Sequence, residues 1–261
     1  MKRIFTNLFI ILVITVIAVG CGKKQQPMDL YDSIQQRGKL VVGVRTDIEP
    51  FGFKDSEGNY QGFEIDLARQ IAKVLLKDEN AIEFVEVEPS TRISTVNSGQ
   101  ADMIIATMSI SSKRLNILDF SDPYYFAGQK VLTHAKSNIK SLSDLNGKRV
   151  GVGFGTTTIE GIKSVAPEAI IQGYKTYQEA ISALKADEID AFADDDALLI
   201  RYIIKDKGFK ILPQKYTQEP YAIAFRKGTE SARTIQIVNN ALNIMKTNGT
   251  LNQMKAQWQI K

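Results

Sequence analysis

The residues that first invite a chemical reading are charged and sit at the ends of apolar runs. Arg114 closes the segment Ser109-Ile110-Ser111-Ser112-Lys113-Arg114, just beyond the strand-like run 102–106. Open α/β sheets bind ligands outside the carboxyl ends of their strands, and a guanidinium offers a planar fork for a carboxylate. The competing reading is an ordinary solvated arginine. Asp194, Asp195 and Asp196 end a second strand-like run. Three acids there could hold a cation, a metal or an ammonium group, or one of them could cap a helix over 197–205. Gly151-Val152-Gly153-Phe154-Gly155 lies between a strand-like and a helix-like run. The dinucleotide fingerprint needs a sixth-position glycine and an acid about 20 residues further on. Thr156 takes that position here and no such acid follows, so no nucleotide is expected. The backbone N–H groups of such a turn, Thr156 and Thr157 included, still attract an anion, carboxylate as readily as phosphate.

These groups need a frame. Residues 39–45 (KLVVGVR) read as a buried strand, and 64–76 as a helix with Ile65, Ala68, Ile71, Ala72 and Leu75 on one face. Residues 82–87 read as a strand, 90–98 as a helix ended by Gly99, and 102–106 as a strand. This alternation predicts a mainly parallel sheet flanked by helices. The chain also repeats itself faintly: Ile93-Ser94 stands nine residues before Asp102, and Ile181-Ser182 nine before Asp190. The repeat implies two α/β lobes, with small-ligand chemistry in the cleft between them. The crossings are expected around 126–130 and 218–221. Beyond the second, 222–225 reads as a strand and 229–246 as a long helix with Ile235, Val238, Asn239, Leu242 and Met245 on one face. That returns the C-terminal segment to the first lobe. The expected division is 30–127 with 221–261 in lobe 1, and 128–220 in lobe 2.

Composition narrows the classes. The chain has 261 residues, 33 Lys+Arg against 29 Asp+Glu, 44% hydrophobic and 24% charged, which are globular values. A net charge of +4 is too weak and dispersed to argue for nucleic acid. One Cys excludes an internal disulfide, and one His with one Cys excludes a His/Cys zinc site. No metal or cofactor is expected, and a monomer is. His134 and Trp258 read as structural.

The N-terminus reads as a targeting signal. Lys2 and Arg3 precede an apolar run over 8–19 that is too short for a comfortable membrane span, which takes about 20 residues. Ala18-Val19-Gly20-Cys21 resembles a lipobox, whose cysteine becomes the lipid-bearing mature N-terminus. The expectation is a signal peptide over 1–20, lipid on Cys21 and a polar tether over 21–29. Removing residues 1–20 takes away two cations and no acids, so the mature charge is 31 − 29 = +2.

Five motifs in order then resemble one family. Gly62-Phe63-Glu64-Ile65-Asp66-Leu67 is similar to its GF-[DE]-x-D-[LI]. Ala106-Thr107-Met108-Ser109-Ile110-Ser111 with Arg114 is similar to ATMTIT-x-x-R, and Asp119-Phe120-Ser121-Asp122-Pro123-Tyr124-Tyr125 to DFS-x-PYY. Residues 142–152 resemble its second-lobe opening, and Asp190-Ala191-Phe192 with Asp195 its DAF-x-x-D. The chain thus resembles the extracytoplasmic solute-binding proteins of polar amino-acid ABC transporters, in their glutamine/glutamate/aspartate group. The resemblance implies a two-lobed type II fold, no enzymatic activity, a membrane permease as partner and a Gram-positive cell-surface location. It implies that Arg114, helped by Ser109 and the Thr157 N–H, clamps the ligand α-carboxylate. Asp195 and the carbonyl of Ala106 or Thr107 take the α-ammonium, and Phe51 forms an aromatic wall. Ser109 and Ser111 stand where Thr is usual, and Lys113 where Glu is usual, which removes an expected ion-pair partner from Arg114.

The side-chain pocket falls to Arg45, at the end of the first strand, and Arg92, at the start of the helix after Pro89. The family's matching positions touch the ligand side chain. Two guanidinium groups suit an acceptor-rich side chain and repel lysine and arginine. If Asp47 and Glu49 neutralise Arg45, glutamine is favoured; otherwise glutamate or aspartate is. Three rivals are a same-fold enzyme such as a dehydratase, with Glu49 or Glu219 as general acid, a surface adhesin, and a sensing ectodomain that would continue into a membrane segment.

Overall fold

The computed structural model describes residues 28–260; the expected signal peptide, Cys21 and the expected tether up to residue 27 lie outside the described residues. The chain opens with α1 (Leu30–Arg37), started by Asp29 accepting the Tyr31 N–H at 2.8 Å. It continues through β1 (Leu40–Val44), β2 (Asp47–Ile48), β3 (Gly52–Lys54), β4 (Tyr60–Gln61), α2 (Phe63–Leu76) and β5 (Ile82–Glu86). α3 (Arg92–Asn97), β6 (Met103–Ile105), α4 (Ser112–Leu115), β7 (Leu118–Phe120) and β8 (Tyr125–Ala127) follow. Next come β9 (Gln129–His134), β10 (Arg149–Gly153), α5 (Thr158–Val165), β11 (Ile170–Tyr174), α6 (Tyr177–Lys185), β12 (Ala191–Asp195), α7 (Asp196–Lys205) and β13 (Phe209–Ile211). β14 (Glu219–Tyr221), β15 (Ala224–Arg226), α8 (Ala232–Thr247) and α9 (Thr250–Gln257) end the chain.

Two five-stranded sheets define two lobes of mixed α/β construction. The first runs β5-β1-β6-β15-β7 and the second β11-β10-β12-β9-β13. In each, three neighbouring strands are parallel and the fourth, β15 or β9, runs antiparallel to both of its neighbours. The segments between the sheets, β8 and β14, pair with each other, Glu219 opposite Ala127 and Tyr221 opposite Tyr125. Each delivers the chain to the fourth strand of a sheet.

The α2 face read from the sequence is the buried one: Ile65, Ala68, Ile71, Ala72 and Leu75 join the core of the first lobe. The C-terminal helix differs slightly. Residues 229–231 form a 3-10 turn, α8 starts at Ala232, and Thr234 and Ala241 are buried while Ile235 and Asn239 are only half-buried. Asn239 instead accepts the Asp122 N–H at 2.8 Å, which draws that position toward the surface.

His134 and Trp258 have structural partners. The His134 ring lies 5.2 Å from that of Phe209, with Nε2 2.6 Å from the Leu184 carbonyl. Trp258 packs edge-on against Phe53 and donates to Asp66 at 2.8 Å. No helix among the described residues is long and apolar enough to cross a membrane.

Candidate ligand-binding site

The carboxyl ends of both sheets face one another and the lobes touch there. β6 runs on into Thr107–Arg114 of the first lobe, and β10 into the Gly155 turn of the second. Arg114 Nη1 donates to the Ser109 carbonyl at 2.6 Å, and Nη2 crosses to the Gly155 carbonyl at 2.7 Å. Arg92 Nη2 donates to the same Gly155 carbonyl at 3.4 Å. Gly155 has φ +76, open to glycine at little cost. A Cβ there would also come 2.4 Å from the Pro89 carbonyl oxygen, so glycine lets the second lobe press backbone against backbone. Further out, Lys113 pairs with Glu160 at 2.5 Å and Arg201 donates to the Asp47 carbonyl at 2.7 Å. Lys113 therefore spends its charge across the lobe boundary, not beside Arg114.

Between the lobes is an enclosed cavity of about 10 Å³, lined among others by Arg92, Thr107, Ser109, Thr156, Thr157 and Asp195. That is room for roughly one water molecule. An amino acid enters only if the lobes part or Arg92 moves. Arg92 Nη1 donates to the carbonyls of Ala106 (2.6 Å) and Thr107 (3.1 Å). Both acceptors expected for an ammonium group are thus held by an internal guanidinium.

The other expected residues surround this cavity without lining it. Arg114 adjoins it through the Ser109 carbonyl. Arg45 stacks at 5.1 Å over Tyr177, which does line it. Arg45 is neutralised by Asp47, through Nε at 2.9 Å and Nη2 at 2.8 Å, and by Glu88 at 3.3 Å. Glu49 is not among its partners, and Glu88 takes the place expected of it. Phe51 is fully buried, edge-on to Phe63, Tyr125 and Tyr221. It is a wall behind Tyr221, which itself stands behind the cavity-lining Asp195.

Asp194 and Asp195 line the cavity together, while Asp196 turns away from it. Asp194 Oδ1 accepts the Asp195 N–H at 2.8 Å, Asp195 Oδ2 accepts from the Tyr221 hydroxyl, and Asp196 accepts the Gly128 N–H and pairs with Lys215 at 2.8 Å. Among the described residues no group of three His, Cys, Asp or Glu forms a metal cluster. The helix begins at Asp196, and Asp195, in the N-cap position, makes no side-chain cap. Its carboxylate is turned into the cleft instead.

Burial sets the electrostatics. It pushes Asp194 up to about 6, and burial together with Asp194 pushes Asp195 well above the ordinary carboxylate range. Burial, aided by Arg92, brings Arg114 down to about 9. Each charge is thus strained until a counter-charge arrives.

Three contributors escaped sequence reasoning. Glu64 is fully buried and accepts from the Thr107 N–H at 2.7 Å and from the Tyr124 hydroxyl. It holds Thr107 at φ +46, a conformation that costs a non-glycine residue about 1–3 kcal/mol. A signal existed: Glu64 stands four residues before Ala68, on the apolar face of α2. Tyr177 and Tyr221 carried none, since only the fold brings them to the cleft; Asp194 was legible as one of the three acids at the strand end. Tyr177 begins α6 behind the Thr176–Glu179 capping box. Glu219, read as an enzyme's acid, accepts from the Thr157 hydroxyl at 2.7 Å.

A two-lobed α/β protein with opposite charges facing across a closed cleft is built to enclose a small solute. Residues 40–261 match the bacterial extracellular solute-binding proteins, family 3, and the chain belongs to that family. It is 37% identical to the ABC transporter glutamine-binding protein GlnH of Bacillus subtilis (strain 168), over 99% of this chain and 97% of that one. It is 42% identical to the glutamine-binding protein of Geobacillus stearothermophilus, over 77% of each. Among solved structures, an ancestral arginine-binding protein bound to glutamine superposes with a TM-score of 0.78 at 38% identity, covering 85% of this chain and 97% of that one.

Proposed function

We propose that this protein is the lipid-anchored substrate-binding component of an ABC importer, capturing a polar amino acid by lobe closure and delivering it to a membrane permease. Glutamine is the foremost ligand, with glutamate and aspartate behind it. One observation carries the reading. Five of the buried polar atoms without a hydrogen-bond partner among the described residues lie at the lobe boundary: Arg45 Nη1 and Arg92 Nε from the first lobe, Thr158 Oγ1, Asp194 Oδ2 and Asp195 Oδ1 from the second. Buried polar groups are otherwise paired almost without exception. A zwitterion with an amide side chain brings what this set requires: acceptors for the arginines, an ammonium for the aspartates. The neutralised Arg45 and the glutamine-binding relatives favour an uncharged side chain.

The same reading divides the chain into lobe 1 over 30–127 with 221–261 and lobe 2 over 128–220. The ligand contacts are Arg92, Thr107, Ser109, Arg114, Thr156, Thr157 and Asp195, with Arg45, Phe51 and Ala106 behind them. Cys21 carries the lipid and holds the protein at the outer face of the membrane. No catalysis is proposed: Glu219, the residue considered as a general acid, is engaged by Thr157.

Calorimetric titration of the twenty amino acids against the soluble form starting after Cys21 tests the ligand. Glutamine binding supports the reading; arginine or histidine binding with glutamine, glutamate and aspartate silent overturns it. Cys21→Ser tests the anchor: it should abolish labelled palmitate incorporation, and label persisting on that variant would overturn the lipid assignment.

A further inference from the structure

Arg45 is fully buried, yet only one of its nitrogens is uncommitted. Nε and Nη2 donate to the two carboxylate oxygens of Asp47, and Nη2 also lies 3.3 Å from Glu88 Oε2. The Tyr177 ring closes one face of the guanidinium. Nη1 is the donor left over. The two acids approach from the solvent side, with side chains 36% and 42% exposed. Two carboxylates therefore stand against one guanidinium. Arg92 is different: among the described residues it makes no ion pair and donates only to carbonyls.

We propose that Asp47 and Glu88 are specificity-determining residues, which match the charge of Arg45 from behind so that its free Nη1 reads a neutral amide oxygen and rejects a carboxylate. A glutamate side chain meets the same donor backed by two fixed negative charges; a glutamine side chain meets the donor without that repulsion. Such discrimination works by building repulsion against the wrong ligand. The proposal rests on reading the cleft as an amino-acid site with Arg45 at its side-chain end. It adds which groups set the order of glutamine and glutamate.

The test is calorimetry with glutamine and with glutamate on the wild type, Glu88→Gln, Asp47→Asn and the double variant. Glu88 lies in ion-pair range of Arg45 but makes no hydrogen bond to it, so Glu88→Gln removes charge without releasing the arginine. The ratio of glutamine to glutamate affinity should fall about tenfold in Glu88→Gln and further in the double variant, since like charges set against a ligand are costly. Glu86→Gln is the control: its carboxylate pairs with Lys54 at 2.5 Å, and its removal should leave the ratio alone. A purely structural role would lower both affinities together. An unmoved ratio in Glu88→Gln and the double variant, with glutamine still bound, overturns this proposal alone. A wild type that binds neither amino acid overturns it together with the reading beneath it.

Discussion

In the first lobe Asp102 ties the foot of β6 to β1: it accepts the Val41 N–H at 2.8 Å, pairs with Arg37, and its own N–H donates to the Val41 carbonyl at 2.9 Å. In the second lobe Asp190 does the same for β12 and β10. It accepts the Arg149 N–H at 2.8 Å, pairs with the Arg149 guanidinium, and donates to the Arg149 carbonyl at 2.9 Å. At the other ends of these strands the likeness stops. The first lobe presents the cations Arg45, Arg92 and Arg114, and the second the anions Asp194 and Asp195 with the Gly155 turn. What holds each lobe together is shared; the charges facing the cleft are divided by sign. On the proposed reading neither lobe alone satisfies a zwitterion, so a ligand's differential contacts would fall on the closed arrangement.

If the division by sign governs binding, removing the carboxylate's charged partner should break it most severely. Arg114→Ala should cost about 2–5 kcal/mol of binding, an affinity loss of about 30-fold or more. Wild-type affinity by titration calorimetry would take Arg114 out of the site. On the opposing lobe, Asp195→Asn should weaken binding about 10- to 100-fold, because Asp194 retains some negative charge beside it. The wild type should also bind more weakly as pH falls through about 6, the value for Asp194. Burial raises both aspartates, an arriving ammonium favours their ionised forms, and so binding below that pH must expel protons. Calorimetry in buffers of different ionisation heat checks the proton release.

Gly155→Ala attacks the contact between the lobes while leaving every charge in place. Its Cβ would meet Pro89 backbone, so affinity should fall about tenfold and scattering should show a larger radius with ligand present. Glu64 bears on stability rather than on affinity, and it sharpens the comparison because the second lobe has no counterpart assigned. Burial raises it to about 7. The folded protein keeps that proton where the unfolded chain has lost it. Its stabilising contribution is therefore full below the ordinary glutamate value of about 4.5 and is lost as pH rises through about 7, a change of about 1–3 kcal/mol. Glu64→Gln should flatten that part of the melting temperature against pH.

Much of this was legible. Helix α2 could be placed because a two-faced helix writes its apolar stripe into the sequence, β1 and β6 because buried strands are short apolar runs between turns, and the edge strand β5 because its apolar residues are interspersed with glutamates. The half-repeat around Asp102 and Asp190 was visible too, though its physical meaning, a staple between neighbouring strands, was not. Glu64 left a trace as an acid on an apolar face. Tyr177 and Glu88 left none: a tyrosine opening a helix and a glutamate after a strand look like any others.

By itself, then, the sequence determined the alternation of strands and helices, the two-lobed plan, and Arg114 and Asp195 as opposite charges at strand ends. These follow from local periodicity and from residue type, which act over a few neighbouring positions. Only the tertiary structure decided that Arg45 is matched by Asp47 and Glu88, that Arg92 holds the Ala106 and Thr107 carbonyls, and that Lys113 pairs across the boundary with Glu160. Each depends on where residues far apart in the chain are brought to within a few ångströms. At that range burial and charge, rather than propensity, choose the partner.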